Sequence, residues 1–309
     1  MIKYVVKRLL ILIPTLLAVI FIVFFITNLT PGDPGSLILG QNARKEDIAK
    51  KNEELGFYDP LLVRYGRYVW DLVHGDLGES WKSGRSVMKE VLGRLPVTAT
   101  LAAGSVLIGI VFGISLGIIS AVKQYSVVDV ILTIIAMFLA SFPGFWIGMM
   151  LILLFSLALD WLPSYGADTL KHYILPWITA GCGFIASQLR MTRTSMLECI
   201  RADYMRTARA KGQKEFKVIT RHALRNALLP IITLVGMEFG AMLGGTVTIE
   251  TVFTLPGVGT MIIEAIRHKD VPLILGGTIS LSVLFTIVMV IVDILYAFID
   301  PRIKARYTK

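Results

Sequence analysis

The chain has 309 residues and a formal net charge of +9, with 55% apolar and 17% charged residues and a mean hydropathy of +0.69. A soluble chain of this length would carry roughly a quarter charged residues, so too few polar side chains remain to cover one or two water-soluble domains. Two cysteines, Cys182 and Cys199, make one pair at most and belong to no CxxC or His cluster, which argues against a disulfide framework or a zinc site.

A bilayer core is crossed by about 20 apolar residues in helical form. Six stretches qualify: Leu9–Leu29, Val97–Val122, Val128–Leu159, Tyr173–Met191, Ala227–Ile249 and Leu275–Ile299. The longer ones are expected to tilt or to extend past the bilayer. The first reads as a retained helix, because its apolar run is too long for a leader and Leu29 to Pro34 offers no small-x-small cleavage site. Lys3, Lys7 and Arg8 place the N-terminus on the cytoplasmic side, and an even number of crossings returns Arg302, Lys304, Arg306 and Lys309 there. The expected fold class is therefore an all-α membrane protein with six transmembrane helices and both termini cytoplasmic. Its expected divisions are a first transmembrane helix at 1–30, an extracytoplasmic insert at 31–96, a five-helix core at 97–300 with a cytoplasmic loop at 195–226, and a cytoplasmic tail at 301–309.

The insert is rich in aromatic residues (Tyr58, Tyr65, Tyr68, Trp70, Trp81), enough for a small folded element. Leu61, Leu62, Tyr65, Tyr68, Val69 and Leu72 recur at helical spacing, and Gly75-Asp76-Leu77-Gly78 breaks that helix. The second transmembrane helix carries Ser105, Gly109, Gly113, Gly117 and Ala121 four apart, and the fifth carries Gly236, Gly240 and Gly244 in the same rhythm. Such small-residue stripes let helix backbones approach closely in lipid, within the subunit or against a partner.

Between the fourth and fifth helices lies a strongly basic segment. Asp203 suits a helix N-terminus, Lys211 its C-terminus and Gly212 the left-handed position that ends it; a second helix with Phe216, Val218, Ile219 and Leu224 leads onward. The basic charge marks the cytoplasmic side rather than nucleic acid. The segment reads either as a solvated or lipid-facing basic surface or as a docking knob for a cytoplasmic partner, and charge alone does not choose.

Glu238 in the fifth helix and Asp293 in the sixth are charges at membrane depth, which usually face a cavity or a partner. At about 100° per residue Glu238 points away from the Gly236/Gly240/Gly244 stripe; it is either a carboxylate on a central pathway or a protonated carboxyl in a structural hydrogen bond. For Asp293 the structural reading is preferred. The connector from Glu250 to Pro272, broken at Pro256, Gly257 and Gly259, is apolar but irregular, and such backbone at the membrane edge requires protein or water around it; with Phe253 it is a candidate lining for the outer mouth of a pathway. His268 alone there reads as a surface residue, and no metal site is expected. No GxxxxGK[ST] loop, HExxH or GxSxG occurs, so the chain is not expected to hydrolyse ATP or to be an enzyme.

Tyr204, the run Thr207, Ala208, Arg209, Ala210, Lys211, Gly212, and Arg221-His-Ala-Leu-Arg-Asn-Ala-Leu-Leu-Pro230 closely resemble the coupling-loop signature of the dipeptide/oligopeptide/nickel group of ABC importer permeases. Arg8-Leu-Leu with Ile13-Pro14, Thr30-Pro-Gly-Asp-Pro34, Gly75-Asp-Leu-Gly78, Arg94-Leu-Pro96, Phe142-Pro143, Trp161-Leu-Pro163, Glu250-Thr-Val-Phe253, Pro256-Gly-Val-Gly259 and Asp300-Pro-Arg-Ile303 extend the likeness over essentially the whole chain. The long insert after the first helix points to the first of the two permease types in such systems. The resemblance implies a type I ABC importer permease fold, with the helix from Asp203 to Gly212 set in a groove of an ATPase. It also implies a second homologous permease, two cytoplasmic ATPases that use ATP and Mg, and an extracytoplasmic substrate-binding protein. Peptides (di- or oligopeptides) lead as the solute, with nickel chelates or another small solute as the alternative within the class. An ATP-independent secondary transporter or channel is the alternative outside it, and no inverted repeat supports that one.

Overall fold

The computed structural model describes residues 2–29, 32–40 and 42–299, and the side chains among them other than those of 2–12, 243, 245, 293 and 295–299. The Asp293 side chain, Thr30, Pro31 and the 301–309 tail thus lie outside the described residues. Among the described residues the regular structure is helical except for one isolated antiparallel bridge between Glu79 and Ser86. In chain order the helices are α1 (Ile2–Leu29), α2 (Pro34–Leu39), α3 (Lys45–Glu54), α4 (Leu61–Val73), α5 (Val87–Ile108), α6 (Ser115–Val122), α7 (Val127–Ser141), α8 (Gly144–Leu151), α9 (Lys171–Ile200), α10 (Asp203–Ala210), α11 (Glu215–Lys217), α12 (Leu224–Val252), α13 (Val258–His268) and α14 (Val271–Ile299). Wider π-type turns run over Gly109–Ile114, Ile152–Ala158 and Val218–Ala223.

Val87–Val122, Glu215–Met242 and Val271–Val292 are long and apolar enough to cross a bilayer, and α7 with the helix that follows makes a fourth crossing if the pair is one span. The expected continuous span Val128–Leu159 is corrected: Val127–Ser141 and Gly144–Ala158 meet at 100°. Pro143 has no N–H to continue α7, and it drives Phe142 into extended backbone (φ −95°, ψ 138°). The expected fourth span belongs to α9, which is long enough but polar. Its polar side chains Thr179, Gln188, Thr192 and Ser195 are buried in protein and so need no lipid-compatible exterior.

Two compact units interleave along the sequence. The first comprises Met1–Arg8, Ala99–Leu255 and Phe285–Lys309. Here α9 is the hub, packed by the Gly109–Ile114 turn, α6, α7, α8 and α12. The small-residue stripe meets it residue for residue: Gly109 faces Phe184, a Cβ on Gly113 would come 2.6 Å from Gln188, and one on Gly117 would come 2.6 Å from Thr192. Both rows step by four, so a flat row of glycines receives a row of larger side chains. The second stripe packs on α14, with Gly236 against Val292 and Gly240 against Phe285, while Gly244 faces open space.

The second unit comprises Leu9–Thr98 and Pro256–Leu284. Its apolar clusters join Leu77, Val87 and Val91 to Val258 and Met261, and Ile20 and Phe24 to Leu275 and Ile279. Polar caps fix the insert. Asp33 accepts from Ser36 N (2.7 Å) to start α2, Asn52 donates to Asp33 (2.9 Å), and Asn52 Oδ1 accepts from Gly35 N (2.7 Å). The predicted helix over 61–72 is α4, ended by Gly75 at φ +82°. α2 and α3 carry no long apolar period and were not visible in the sequence.

Candidate functional site

The basic segment folds as expected from its residues. α10 begins at Asp203, and after Lys211 the chain turns at Gly212 (φ +70°), whose N–H donates to Arg209 O at 2.9 Å. A Cβ at Gly212 would meet nothing of its own chain within 4 Å, so within the subunit the glycine is required by its left-handed backbone. Arg209 reaches across this turn to Glu215 through two hydrogen bonds of 2.8 and 3.1 Å, an exposed pair that sets the loop's shape more than its stability. α11, the Val218–Ala223 turn and α12 then run on without a break.

α10 has two faces. Met205 (0% exposed) and Ala208 (6%) pack into a cluster with Met196, Val218, Ile219, Ala223, Ala227 and Ile231, so this face seats the helix on its own chain. Asp203, Tyr204, Arg206, Thr207, Arg209, Ala210, Lys211 and Gly212 are exposed, and Phe216 beyond the turn is 81% exposed. Ala208, part of the run that resembles the coupling-loop signature, lies on the face that packs on its own chain.

Glu238 lines a recess of about 280 Å³ in the first unit, with Phe142, Gly144, Thr179, Gly183 and Thr246 among the other walls. The carboxylate therefore points away from the face of α12 that packs on α14, as its angular position requires. Phe253 is buried (1% exposed) and its ring lies against Gly148, where an added Cβ would come within 3.2 Å. Pro256 is exposed, whereas Gly257 and Gly259 are buried at the start of α13. α12 ends in a 6→1 turn, Leu255 N to Glu250 O at 2.8 Å, which places Thr254 at φ +47°, an uncommon conformation for a β-branched residue. Glu238 thus stands at an open recess, while Phe253 is buried beside the turn that ends α12.

Sequence reasoning missed the polar centre of the first unit. Asp129 (3% exposed) accepts from Arg193 Nε and Nη2, both at 2.8 Å, from Ser120 Oγ at 2.5 Å and from Tyr125 N at 3.0 Å. Two forked bonds from one guanidinium fix both distance and plane, joining α7 to α9 and α6. Ser126, which caps α7 by accepting from Asp129 N at 3.3 Å, was the only local signal. Gln188 ties α9 to α12 by donating to Ile231 O at 3.3 Å. Among the described residues no group of three or more His, Cys, Asp or Glu side chains could hold a metal ion.

The family model for the binding-protein-dependent transport system inner membrane component matches residues 113–305, and the model for the N-terminal part of such components matches 1–102. The glutathione transport system permease protein GsiC of Salmonella paratyphi A and that of Escherichia coli (strain K12) are each 41% identical over 98% of this chain and 99% of the relative. A chain of the inward-facing MetNI methionine ABC transporter, in its CY5 native crystal form, superposes with a TM-score of 0.56 at 16% identity, covering 69% of this chain and 97% of that one. That likeness fixes the fold as the all-α, multi-pass fold of type I ABC importer permeases. The family matches span both halves of the sequence, and the chain belongs to the binding-protein-dependent transport system inner membrane components, as a permease subunit of an ABC importer in the cytoplasmic membrane.

Proposed function

We propose that this permease forms half of the translocation pathway for small peptides, with a glutathione-like tripeptide as the leading solute and di- or oligopeptides next. The observation that carries this reading is the 41% identity with permeases named for glutathione transport, extending over 98% of the chain. The other half is a second homologous permease. An extracytoplasmic binding protein delivers the solute, and two cytoplasmic ATPases hydrolyse ATP with Mg. Six crossings with both termini inside, the insert outside and the five-helix core at 97–300 complete the scheme; the Lys and Arg around Arg190–Arg225 support that orientation.

In this scheme α10 is the lever. Its exposed residues Asp203, Tyr204, Thr207, Arg209, Ala210 and Lys211 meet a groove of the ATPase, and Gly212 ends the lever tightly. Met205 and Ala208 carry the push into α9 and α12, because a helix packed on its own chain moves with it. Glu238 is the pathway residue, its recess being a space that a peptide amine or amide could enter, and Pro256 borders the outer mouth. Phe253, Gly257 and Gly259 hold that mouth in shape.

The decisive experiment reconstitutes the subunit with its partner permease, ATPases and binding protein in proteoliposomes and follows radiolabelled glutathione, a dipeptide and a nickel chelate. ATP-dependent accumulation of the peptides is expected. Uptake of the chelate alone would overturn the solute, and uptake that persists without ATP would overturn the mechanism.

A further inference from the structure

The second unit contains a cavity of about 580 Å³ that no role above uses. Its floor is apolar, formed by Phe24 and Ile26 near the end of α1 and by Leu275 near the start of α14. Its wall is α4. At about 100° per residue, α4 has three faces. Leu61, Tyr65, Tyr68 and Leu72 pack inward on Phe24 and Leu275. Leu62, Val63, Trp70 and Val73 remain exposed. Between these two lies a charged band of Arg64, Arg67 and Asp71, and all three line the cavity. An exposed apolar face with a Trp beside a charged band is the pattern of a helix at a membrane–water interface.

Three details point to an amphipathic ligand. The Arg64 guanidinium lies over the rings of Phe57 (5.0 Å) and Phe24 (5.9 Å), and among the described residues no carboxylate is within ion-pairing distance of it, whereas Arg67 is taken by Asp59 at 2.8 Å. Burial lowers the pKa of Arg64, the Asp59 charge acting in the opposite sense. The Tyr68 hydroxyl is shielded from solvent and has no hydrogen-bond partner, a cost that a ligand oxygen would remove. Finally, Ile26 belongs to the cavity floor and is also 57% exposed, continuing into the exposed Ile22, Phe25 and Leu29 of the same helix. The apolar floor therefore runs out onto the flank of a helix read as membrane-spanning.

We propose that this cavity holds one membrane phospholipid with an amine-bearing headgroup, its phosphate on Arg64 and the Tyr68 hydroxyl, its ammonium toward Asp71, and an acyl chain over Phe24 and Ile26 along α1. Asp71 and Asp76 line the cavity together with Arg64, Arg67 and Lys269, so charges of both signs are present. That balance favours phosphatidylethanolamine over the purely anionic phosphatidylglycerol. An acyl chain explains the open apolar floor, which a short zwitterionic peptide would leave uncovered. The proposal rests on the membrane reading and not on the identity of the solute.

The test uses the assembled importer in detergent, stripped of lipid and titrated with phosphatidylethanolamine or phosphatidylglycerol in the absence of solute, with retained lipid counted by native mass spectrometry. Phosphatidylethanolamine is expected to be retained, about tenfold less tightly in Arg64→Gln, as loss of a charge-assisted bond implies, and a few-fold less tightly in Tyr68→Phe, which preserves the ring's packing. Lys51→Gln on α3 is expected to bind as wild type. Wild-type retention in either variant, Tyr68→Phe or Arg64→Gln, that melts normally would overturn the proposal. So would displacement of the lipid by millimolar glutathione or a dipeptide, which would make the cavity a solute site. ATP-driven uptake is a separate readout, so failure of the peptide assignment leaves the lipid count standing.

Discussion

The first unit satisfies one buried carboxylate, Asp129, with a cation, and the second satisfies Asp270 with neutral donors. Asp129 is gripped by both arms of the Arg193 guanidinium at 2.8 Å. Asp270, 1% exposed, accepts instead from Ser80 Oγ at 2.5 Å and from the backbone N–H groups of Trp81 (3.2 Å) and Lys82 (3.3 Å); among the described residues no basic side chain pairs with it. An ion pair locks two helices in one plane but leaves a stranded charge when either partner is lost. A carboxylate wrapped by a loop orders that loop and tolerates conversion to an amide better. One arrangement suits a helix bundle, the other an insert that must be held at its edge.

The largest effect is expected at the ion pair. Arg193→Ala leaves Asp129 buried and unpaired, and should cost about 3–5 kcal/mol, seen as a large drop in melting temperature in detergent or failure to assemble. Arg193→Leu combined with Asp129→Leu should recover much of that loss, because no charge is then stranded. Equal melting of the single and double variants would show that the helix contacts, not the pair, hold this region.

Next is the seat of α10. Met205→Ala removes a fully buried side chain and should cost about 2–4 kcal/mol locally, loosening α10 while the remaining helices stay packed. ATP hydrolysis by the assembled importer should persist with transport reduced severalfold. Arg206→Ala, on the exposed face, should leave melting unchanged and weaken association with the ATPase. If Met205→Ala transports normally, α10 is not the lever.

These two cases also show what a sequence can display. The α10 boundaries were legible because they depend on local chemistry: Asp203 at the start, Gly212 where a positive φ is needed. Which face of α10 meets its own chain was not legible: Met205 and Ala208 take that side, and nothing local in the sequence marks it. The Gly109/Gly113/Gly117 stripe announced close packing, but its mates Phe184, Gln188 and Thr192 are known only once α9 is in place. Phe142-Pro143 stood in an apolar run with no change of period, so a 100° bend looked like one long span. Asp129 and Arg193, or Ser80 and Asp270, are far apart in the chain, and no spacing rule pairs them.

For the second unit the expected effect is smaller. Asp270→Asn keeps one acceptor oxygen and adds a donor that faces N–H groups, at about 1–3 kcal/mol. The consequence should be confined to the insert: cleavage by protease within residues 79–86 at unchanged overall melting temperature. A global loss as large as that of Arg193→Ala would erase the distinction between the two carboxylates.

The smallest effect concerns Asp33, which sharpens the case for neutral donors. The hydrogen bond from the Asn52 side chain lowers its pKa, opposed by partial burial and helped by Ser36. A carboxyl whose folded pKa is depressed contributes stability that is complete above the unfolded value of about 3.9 and is lost as pH falls through the folded one. Protection of the insert against an acid protease should therefore decline between about pH 5 and pH 2 more steeply in wild type than in Asp33→Asn, which keeps the cap but cannot titrate in that range. Other carboxylates of the insert titrate equally in both proteins, so the difference between the two curves isolates Asp33. A difference that is flat across that range would mean that Asn52 orders α2 by shape alone, and that the charge on the cap adds nothing.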